Sequence, residues 1–468
     1  MPNSAADVAI VGAGPAGLAA AVTAADLGLA VVLLDAAQRP GGQYYRHPAP
    51  ELGAARPQAL HHDWAAFATR EARLRAHEGT GRITYQPGHH VWTVAPDGKA
   101  WTVHARKDDG SASSLTARTV ILATGAYERQ LPFPGWTLPG VLAAGGAQAM
   151  LKSGLVLPGR RIVVAGGGPL LLAVAAGLAA AGARVPAVVE ASSYTGYARH
   201  ATTLLRNPAK LVEAARYGTE LARHNVRLLT SQAVVEAHGT DRVEAVTVAR
   251  LDDAWRPIEG TARRIPCDAL AVGHGLVPEL SLATSLGCAT RTARDGTVAL
   301  DLTADQRTSV PGIWSAGETG GIGGAQLALV EGELAAHSIA ATLASTPPAH
   351  ATDRLRRRKT RLRAFADTMA AAHRPGKAWT TWLTDATDIC RCEEVKADRI
   401  REAVDDLGAT DARTVKLLTR AGMGWCQGRM CGPAVSALCG SAPTPDRRPL
   451  ACPVPLRHLA ALPAPDQN

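Results

Sequence analysis

Aromatic residues are scarce in this chain: Phe, Trp and Tyr make up 4% of its 468 residues, and only three are phenylalanines. The net charge of +9 would suit an anionic partner. Without interleaved aromatics or a recognisable binding motif, it does not read as a nucleic-acid surface. The N-terminus, MPNSAADVAIVGAG, has no basic segment ahead of its apolar run, which excludes a secretory signal. An unbroken membrane-length run is also missing. The stretch Val163–Val185 is apolar apart from Arg184, but Gly166-Gly167-Gly168-Pro169 interrupts it, and a strand–turn–helix accounts for it better. There is no disulfide framework. Four of the eight cysteines fall in tight pairs instead, which predicts a reducing compartment and a cytoplasmic protein, peripheral to a membrane only through a partner. Neither a general base beside a substrate pocket nor an activated nucleophile stands out, so no catalytic residue is assigned.

What is present is a chain long enough for two or three domains, with an ordinary globular composition of 46% hydrophobic and 19% charged residues. It opens on a βαβ unit: a strand at Val8–Val11, a turn at Gly12–Gly17, a helix at Leu18–Leu27 and a strand at Val31–Leu34 ending in Asp35. Gly12-Ala13-Gly14-Pro15-Ala16-Gly17 fits G-x-G-x-x-G in that setting. Gly12 permits the tight turn, Gly14 the approach of a pyrophosphate, and Gly17 close helix packing that aims the helix N-terminus at the phosphates. Asp35, 23 positions after Gly12, is placed to accept from ribose hydroxyls. Three features favour FAD at this site. Gly42-Gln43 follows the acid. The apolar run from Thr119 ends in the small pair Thr124-Gly125. Gly317-Glu318 sets an acid before a Gly/Ala-rich helix suited to the ribityl chain. From about Glu71 to Val120, short alternating runs such as Trp101-Thr102-Val103-His104 predict strands completing the same domain. Together these features resemble the two-dinucleotide-domain, glutathione-reductase-like flavoprotein reductases.

A second βαβ unit runs from a strand at Ile162–Ala165 through a helix at Leu172–Ala181 to a strand at Val185–Val189. Gly166 and Gly168 keep the first two glycines and Glu190 the ribose acceptor, but Leu171 stands where the third glycine belongs. That leucine is expected to push the helix from the strand or to fill space near the phosphates. NAD(P) and a vacant or differently occupied site both remain open here. The reductases' redox disulfide has no counterpart near Gly42 or in the second domain, and Cys267 and Cys288 read as core thiols.

Near the C-terminus stand Cys390 and Cys392, then 33 intervening residues, then Cys426 and Cys431. The one-residue gap in the first pair fits zinc spacing poorly. Four thiolates, two per iron, with open backbone at Gly428 and Gly432, fit a [2Fe–2S] cluster better. The flanks, Cys390-Arg391-Cys392-Glu393-Glu394-Val395 and Cys426-Gln427-Gly428-Arg429-Met430-Cys431-Gly432-Pro433, resemble the bacterioferritin-associated-ferredoxin type of [2Fe–2S] domain. Cys439 and Cys452 fall outside the pattern and read as a buried thiol and a tail residue. The basic cluster Arg354, Arg356, Arg357, Arg358, Lys359, Arg361 and Arg363 reads as a solvated helix face or linker.

The expected fold is α/β: two Rossmann-like dinucleotide-binding domains plus a small, mainly helical iron–sulfur domain. The expected boundaries are 1–150 with 295–345 for the FAD-binding domain and 151–294 for the second domain. A basic helical linker follows at 346–384, the cluster domain at 385–440 and an extended Pro-rich tail at 441–468. The segments Ala123–Arg129, Pro132–Gly140, Gly168–Ala173 and Gly317–Gly324, with the cysteine domain, resemble the alpha subunits of heteromeric opine and amino-acid dehydrogenases. That family includes opine oxidase, hydrogen cyanide synthase and proline or hydroxyproline dehydrogenase subunits. Glu318 departs from it, since many relatives carry Asp there. The resemblance implies a smaller flavoprotein (beta) subunit that oxidises an amine or amino acid. This chain would pass the electrons through its cluster to an acceptor such as a quinone or carrier protein, and in relatives an FMN can lie between the subunits. Two other readings stay open: an NAD(P)H-dependent FAD reductase acting on its own, and a non-enzymatic scaffold holding a structural adenine nucleotide.

Overall fold

The computed structural model describes residues 6–61, 63–194, 197, 201–344, 351–445 and 448–462. Strands Ala6–Val11 and Val31–Leu34 pair in parallel, with Ile10 opposite Leu33. Ile10 also faces Ile121 of the long strand Ala112–Leu122, and Ile83–Gln86 adds to the other side. His89–Asp97 and Ala100–Lys107 continue this sheet as an antiparallel flap, and the late strand Ile313–Ser315 returns to pair with Ala112–Leu122. Between the first two strands runs the helix Pro15–Asp26, buried along most of its length because it is built of Ala, Leu and Val with no charged face until Asp26. It begins earlier than the expected Leu18. Pro15 sits at its first turn, where a fixed φ is preorganised for helix and the missing N–H has no partner to lose.

A helix, Trp64–Gly79, occupies part of the span expected to hold strands from Glu71. Its residues are strong helix formers, and Phe67 and Leu74 alone carry its buried face. The second sheet is parallel throughout, ordered Arg227–Thr230, Ala187–Glu190, Ile162–Gly166, Ala269–Gly273, Val141–Ala143. Val141–Ala143 lies ahead of residue 151, so the second sheet begins before the expected boundary. Ala126–Glu128 and Leu276–Pro278 pair antiparallel at the crossing between the two sheets.

The basic segment forms the helix Ala351–Ala372 and packs on Ala325–Leu343, with Leu362 and Ala366 against Leu327, Val330 and Leu334. It is therefore a packed element with one solvated face. Arg354, Arg357, Arg358 and Arg361 are exposed, while Arg363 turns inward to Glu331 at 2.7 Å. The cysteine domain comprises a hairpin, Asp388–Cys390 with Val395–Lys396, and the helices Ala397–Asp405, Ala412–Thr419 and Gly432–Leu438. Its Ile389, Ile400, Val415 and Val435 share one core with Trp379 and Trp382 and with Leu131, Ala233 and Trp255, which lie along the second nucleotide unit. Where an extended tail is expected, the described part folds back: Ala451 N–H donates to the Trp92 carbonyl at 2.9 Å, and Leu456–Ala460 forms a helical turn. Among the described residues no helix is long and apolar enough to cross a membrane.

Candidate flavin and iron–sulfur sites

The first nucleotide loop is closed by backbone contacts that tolerate only glycine. A Cβ on Gly17 would lie 1.8 Å from the Gly12 carbonyl oxygen, and one on Gly42 would lie 2.8 Å from Gly14 Cα. Gly12, Ala13, Gly14, Pro15, Ala16, Gly17 and Gly42 are thus gathered at one strand–helix turn. Asp35 reaches this turn from the next strand and accepts from Ala13 N–H at 2.5 Å and from Ala37 N–H at 2.6 Å. Burial raises its carboxyl above the usual range against the pull of those two donors. Gln43 is exposed, and its amide oxygen accepts from Arg46.

Thr124 and Gly125 stand at the end of the strand Ala112–Leu122, and both are held by Glu279. Thr124 Oγ1 donates to the Glu279 carbonyl at 2.8 Å, and Glu279 N–H donates to the Gly125 carbonyl at 3.0 Å. Gly317 and Glu318 follow the returning strand. The Glu318 carboxylate accepts from Gly323 N–H at 2.6 Å and Gly324 N–H at 3.1 Å, just ahead of the helix Ala325–Leu343. Burial pushes this carboxyl up. Glu331 is missing from the expectations. It is 1% exposed and accepts from Gly317 N–H and from Arg363. Its sequence signal is faint: it is one of two acids, with Glu333, in a mostly apolar helix.

The second nucleotide turn is arranged differently. Leu171 neither displaces its helix from the sheet nor fills the phosphate space. It is 1% exposed and packs in the core with Val164, Val174, Leu178 and Ala269. Glu190 is fully buried and accepts from Gly168 N–H at 2.9 Å and Ser192 N–H at 3.0 Å. His373, just past the basic helix, places its Nδ1 3.4 Å from the same carboxylate. A Cβ on Gly167 would meet Trp255, whose ring stacks on Trp382 with planes 6° apart. The turn is therefore covered at Gly167 by the chain's own Trp255 and His373, and Trp382 backs Trp255 from behind.

Cys390 and Cys431 are buried, Cys426 is half-buried and Cys392 is exposed. They stand as two neighbouring pairs. The Cys431 thiol hydrogen bond, with the Gly422 N–H 3.5 Å from Cys390 Sγ, lowers Cys390 to about 5 despite its burial, while the same contact raises Cys431. At Cys392, an N–H of Cys426 lowers the thiol, but burial and the Cys426 side chain outweigh it and the net direction is up. Among the described residues no three His, Cys, Asp or Glu side chains converge on a point suited to one metal ion. Two thiol pairs match the ligand set of a binuclear cluster, which takes two thiolates per iron. Gly424 lies against the Cys392–Cys426 pair: a Cβ on it would sit 2.3 Å from Cys392 Cβ. Gly432 N–H, expected to be open, donates to the Gly428 carbonyl at 2.7 Å, and the glycine N–H directed at sulfur is that of Gly422. Cys267 and Cys288 are core thiols.

Two family models match. Pyridine nucleotide-disulphide oxidoreductase covers residues 6–332, and the BFD-like [2Fe-2S] binding domain covers 389–440. Among curated relatives, the hydrogen cyanide synthase subunit HcnB of Pseudomonas aeruginosa is 37% identical over 90% of this chain and 90% of its own. An opine oxidase subunit of Rhizobium meliloti is 33% identical over 93% of this chain and 92% of its own. The chain belongs to the pyridine nucleotide-disulphide oxidoreductase family, in the branch with these two proteins. It is a flavin-dependent oxidoreductase chain, with an FAD-binding domain and a [2Fe–2S] domain. The L-proline dehydrogenase of P. horikoshii shares the fold over 97% of this chain and 79% of its own, with a TM-score of 0.67 at 21% identity.

Proposed function

We propose that this chain is the electron-transferring subunit of a heteromeric dehydrogenase that oxidises a secondary amine, an opine or an amino acid. Its smaller partner bears the flavin that oxidises the substrate. Gly12, Ala13, Gly14, Pro15, Ala16 and Gly17 cradle the pyrophosphate of FAD. Asp35 serves the adenine-side ribose, Glu318 with Gly317 the ribityl chain, and Gly42, Gln43, Thr124 and Gly125 flank the bound cofactor. Cys390, Cys392, Cys426 and Cys431 bind the cluster, whose chemistry is one-electron transfer. Electrons leave for a quinone or a carrier protein.

The observation that carries this reading is the roof over the second nucleotide turn. Asp35 at the first turn is part-exposed, whereas Glu190 is fully buried with His373 Nδ1 3.4 Å away and Trp255 against Gly167, an arrangement that argues against an NAD(P) ribose reaching that carboxylate. This supports another route for the reducing equivalents, and relatives named as subunits of opine oxidase and hydrogen cyanide synthase point to a partner chain.

The test is co-expression with adjacent open reading frames and assay of the purified complex for dye reduction with opines, proline, hydroxyproline and glycine. Cys426→Ser should abolish the cluster signal and transfer to the terminal acceptor while FAD stays bound. If flavin and activity both persist once the iron is gone, the cluster is not on the electron path.

A further inference from the structure

The side chain of Arg429 joins the thiolate loop to the segment behind the flavin site. Arg429 lies between Cys426 and Cys431, and its Nε donates to Glu279 Oε2 at 2.6 Å. Its Nη2 donates to Ser281 Oγ at 3.1 Å and to the Ala451 carbonyl at 2.7 Å, and its Nη1 to the Cys426 carbonyl at 3.5 Å. One guanidinium therefore fastens the thiolate loop to the segment 279–281 and to the returning tail. Glu279 is the residue whose backbone grips Thr124 and Gly125 on both sides. From the Gly125 carbonyl to the Cys426 carbonyl the connection passes through one hydrogen-bonded residue pair. Both side chains are mostly removed from solvent, at 23% and 22% exposed. A charge-assisted pair in that position holds geometry better than one in open water.

We propose that Arg429 is a positioning residue, latched to Glu279, that fixes the thiolate loop against the flavin end of the first domain and so sets the gap the electron crosses. The proposal rests on the assignment of FAD and the [2Fe–2S] cluster to these two sites. With both groups bound, the flavin held at Gly12–Gly17 would supply two electrons, one at a time, with its two protons released to solvent, and the cluster held by Cys390, Cys392, Cys426 and Cys431 would take up one electron at a time and be reoxidised by the acceptor between them. Arg429 neither gains nor loses an electron. A planar fork reaching three chain segments is a role that a lysine fills in charge but not in geometry.

The test uses the holoprotein with both cofactors loaded. Flavin is photoreduced anaerobically, and cluster bleaching is followed in wild type, Arg429→Gln, Arg429→Lys and Glu279→Gln. Iron, sulfide and flavin contents are measured in each. Transfer should slow about tenfold or more in Arg429→Gln and in Glu279→Gln, because loosening the loop misplaces the reacting groups. Arg429→Lys should recover part of the rate. The cluster midpoint potential should fall in Arg429→Gln, which removes a positive charge beside the anionic centre, and rise in Glu279→Gln, which removes a negative one. Damage to folding alone would not produce shifts of opposite sign. Wild-type transfer rates in both Gln variants, with cofactors intact, overturn the proposal. So does loss of the cluster in all three variants, which assigns the pair to folding alone. A wild type without iron or sulfide removes the assignment itself, and the latch with it.

Discussion

Gly17 shows how directly one residue can report a site. Its Cβ position lies 1.8 Å from the Gly12 carbonyl oxygen, so Gly17→Ala must open the turn that receives the pyrophosphate. The expected result is loss of bound FAD, read from the ratio of visible to ultraviolet absorbance, with overpacking costing about 1–3 kcal/mol of stability. Glu279 gives a pH dependence. Burial pushes its carboxyl up, but the Arg429 guanidinium and the Ser281 donors overcome that and hold it below its ordinary value of 4.5. Stability from the pair is therefore present above about pH 4.5 and fades as pH falls through the lower folded value. Thermal melts should show a gap between wild type and Glu279→Gln at neutral pH that narrows on acidification. At this scale the sequence was most legible where the constraint is local. The turn Gly12–Gly17 and the cysteine spacing announce themselves because the interacting atoms are near in the chain. The fate of Glu190 did not, because His373 reaches it from a distant segment.

At the scale of elements, the basic helix Ala351–Ala372 is the clearest departure from expectation. Its composition reads as a solvated linker, and four of its arginines are solvated. What composition could not show is that Arg363 enters the core beside Glu331, whose side chain is 2% exposed. Arg363→Ala would leave that carboxylate buried and unpaired, a change expected to cost about 3–5 kcal/mol. Arg357→Ala, on the exposed face, should stay within about 0.5 kcal/mol of wild type. Thermal unfolding of the two variants side by side distinguishes a packed helix from a loose tether. The helix Trp64–Gly79 was hidden for a related reason: two buried residues give it too faint an apolar stripe beside the strand-like alternation that follows. The returning tail was hidden because a Pro-rich composition does not disclose the Trp92 carbonyl that Ala451 meets.

For the whole molecule, the glycine turns, the paired strands around them and the cysteine spacing made the two-domain flavoprotein and the added cluster domain readable from sequence. How the parts share interior was not readable. Trp255 and Trp382 stack between the second nucleotide unit and the cysteine domain, so Trp255, which lies against Gly167 of the NAD(P)-like turn, also helps seat the cluster domain. Restoring the third glycine by Leu171→Gly should therefore fail to create NADH affinity. It should instead leave a cavity in the core and lower stability by about 2–5 kcal/mol. The most direct measurement is anaerobic rapid mixing of the wild-type holoprotein, alone, with NADH and then with NADPH, following flavin and cluster absorbance together. Both chromophores should stay oxidised. Rapid bleaching of the flavin followed by the cluster would contradict the proposed route, because the chain would then draw its electrons through the nucleotide turn that His373 and Trp255 cover.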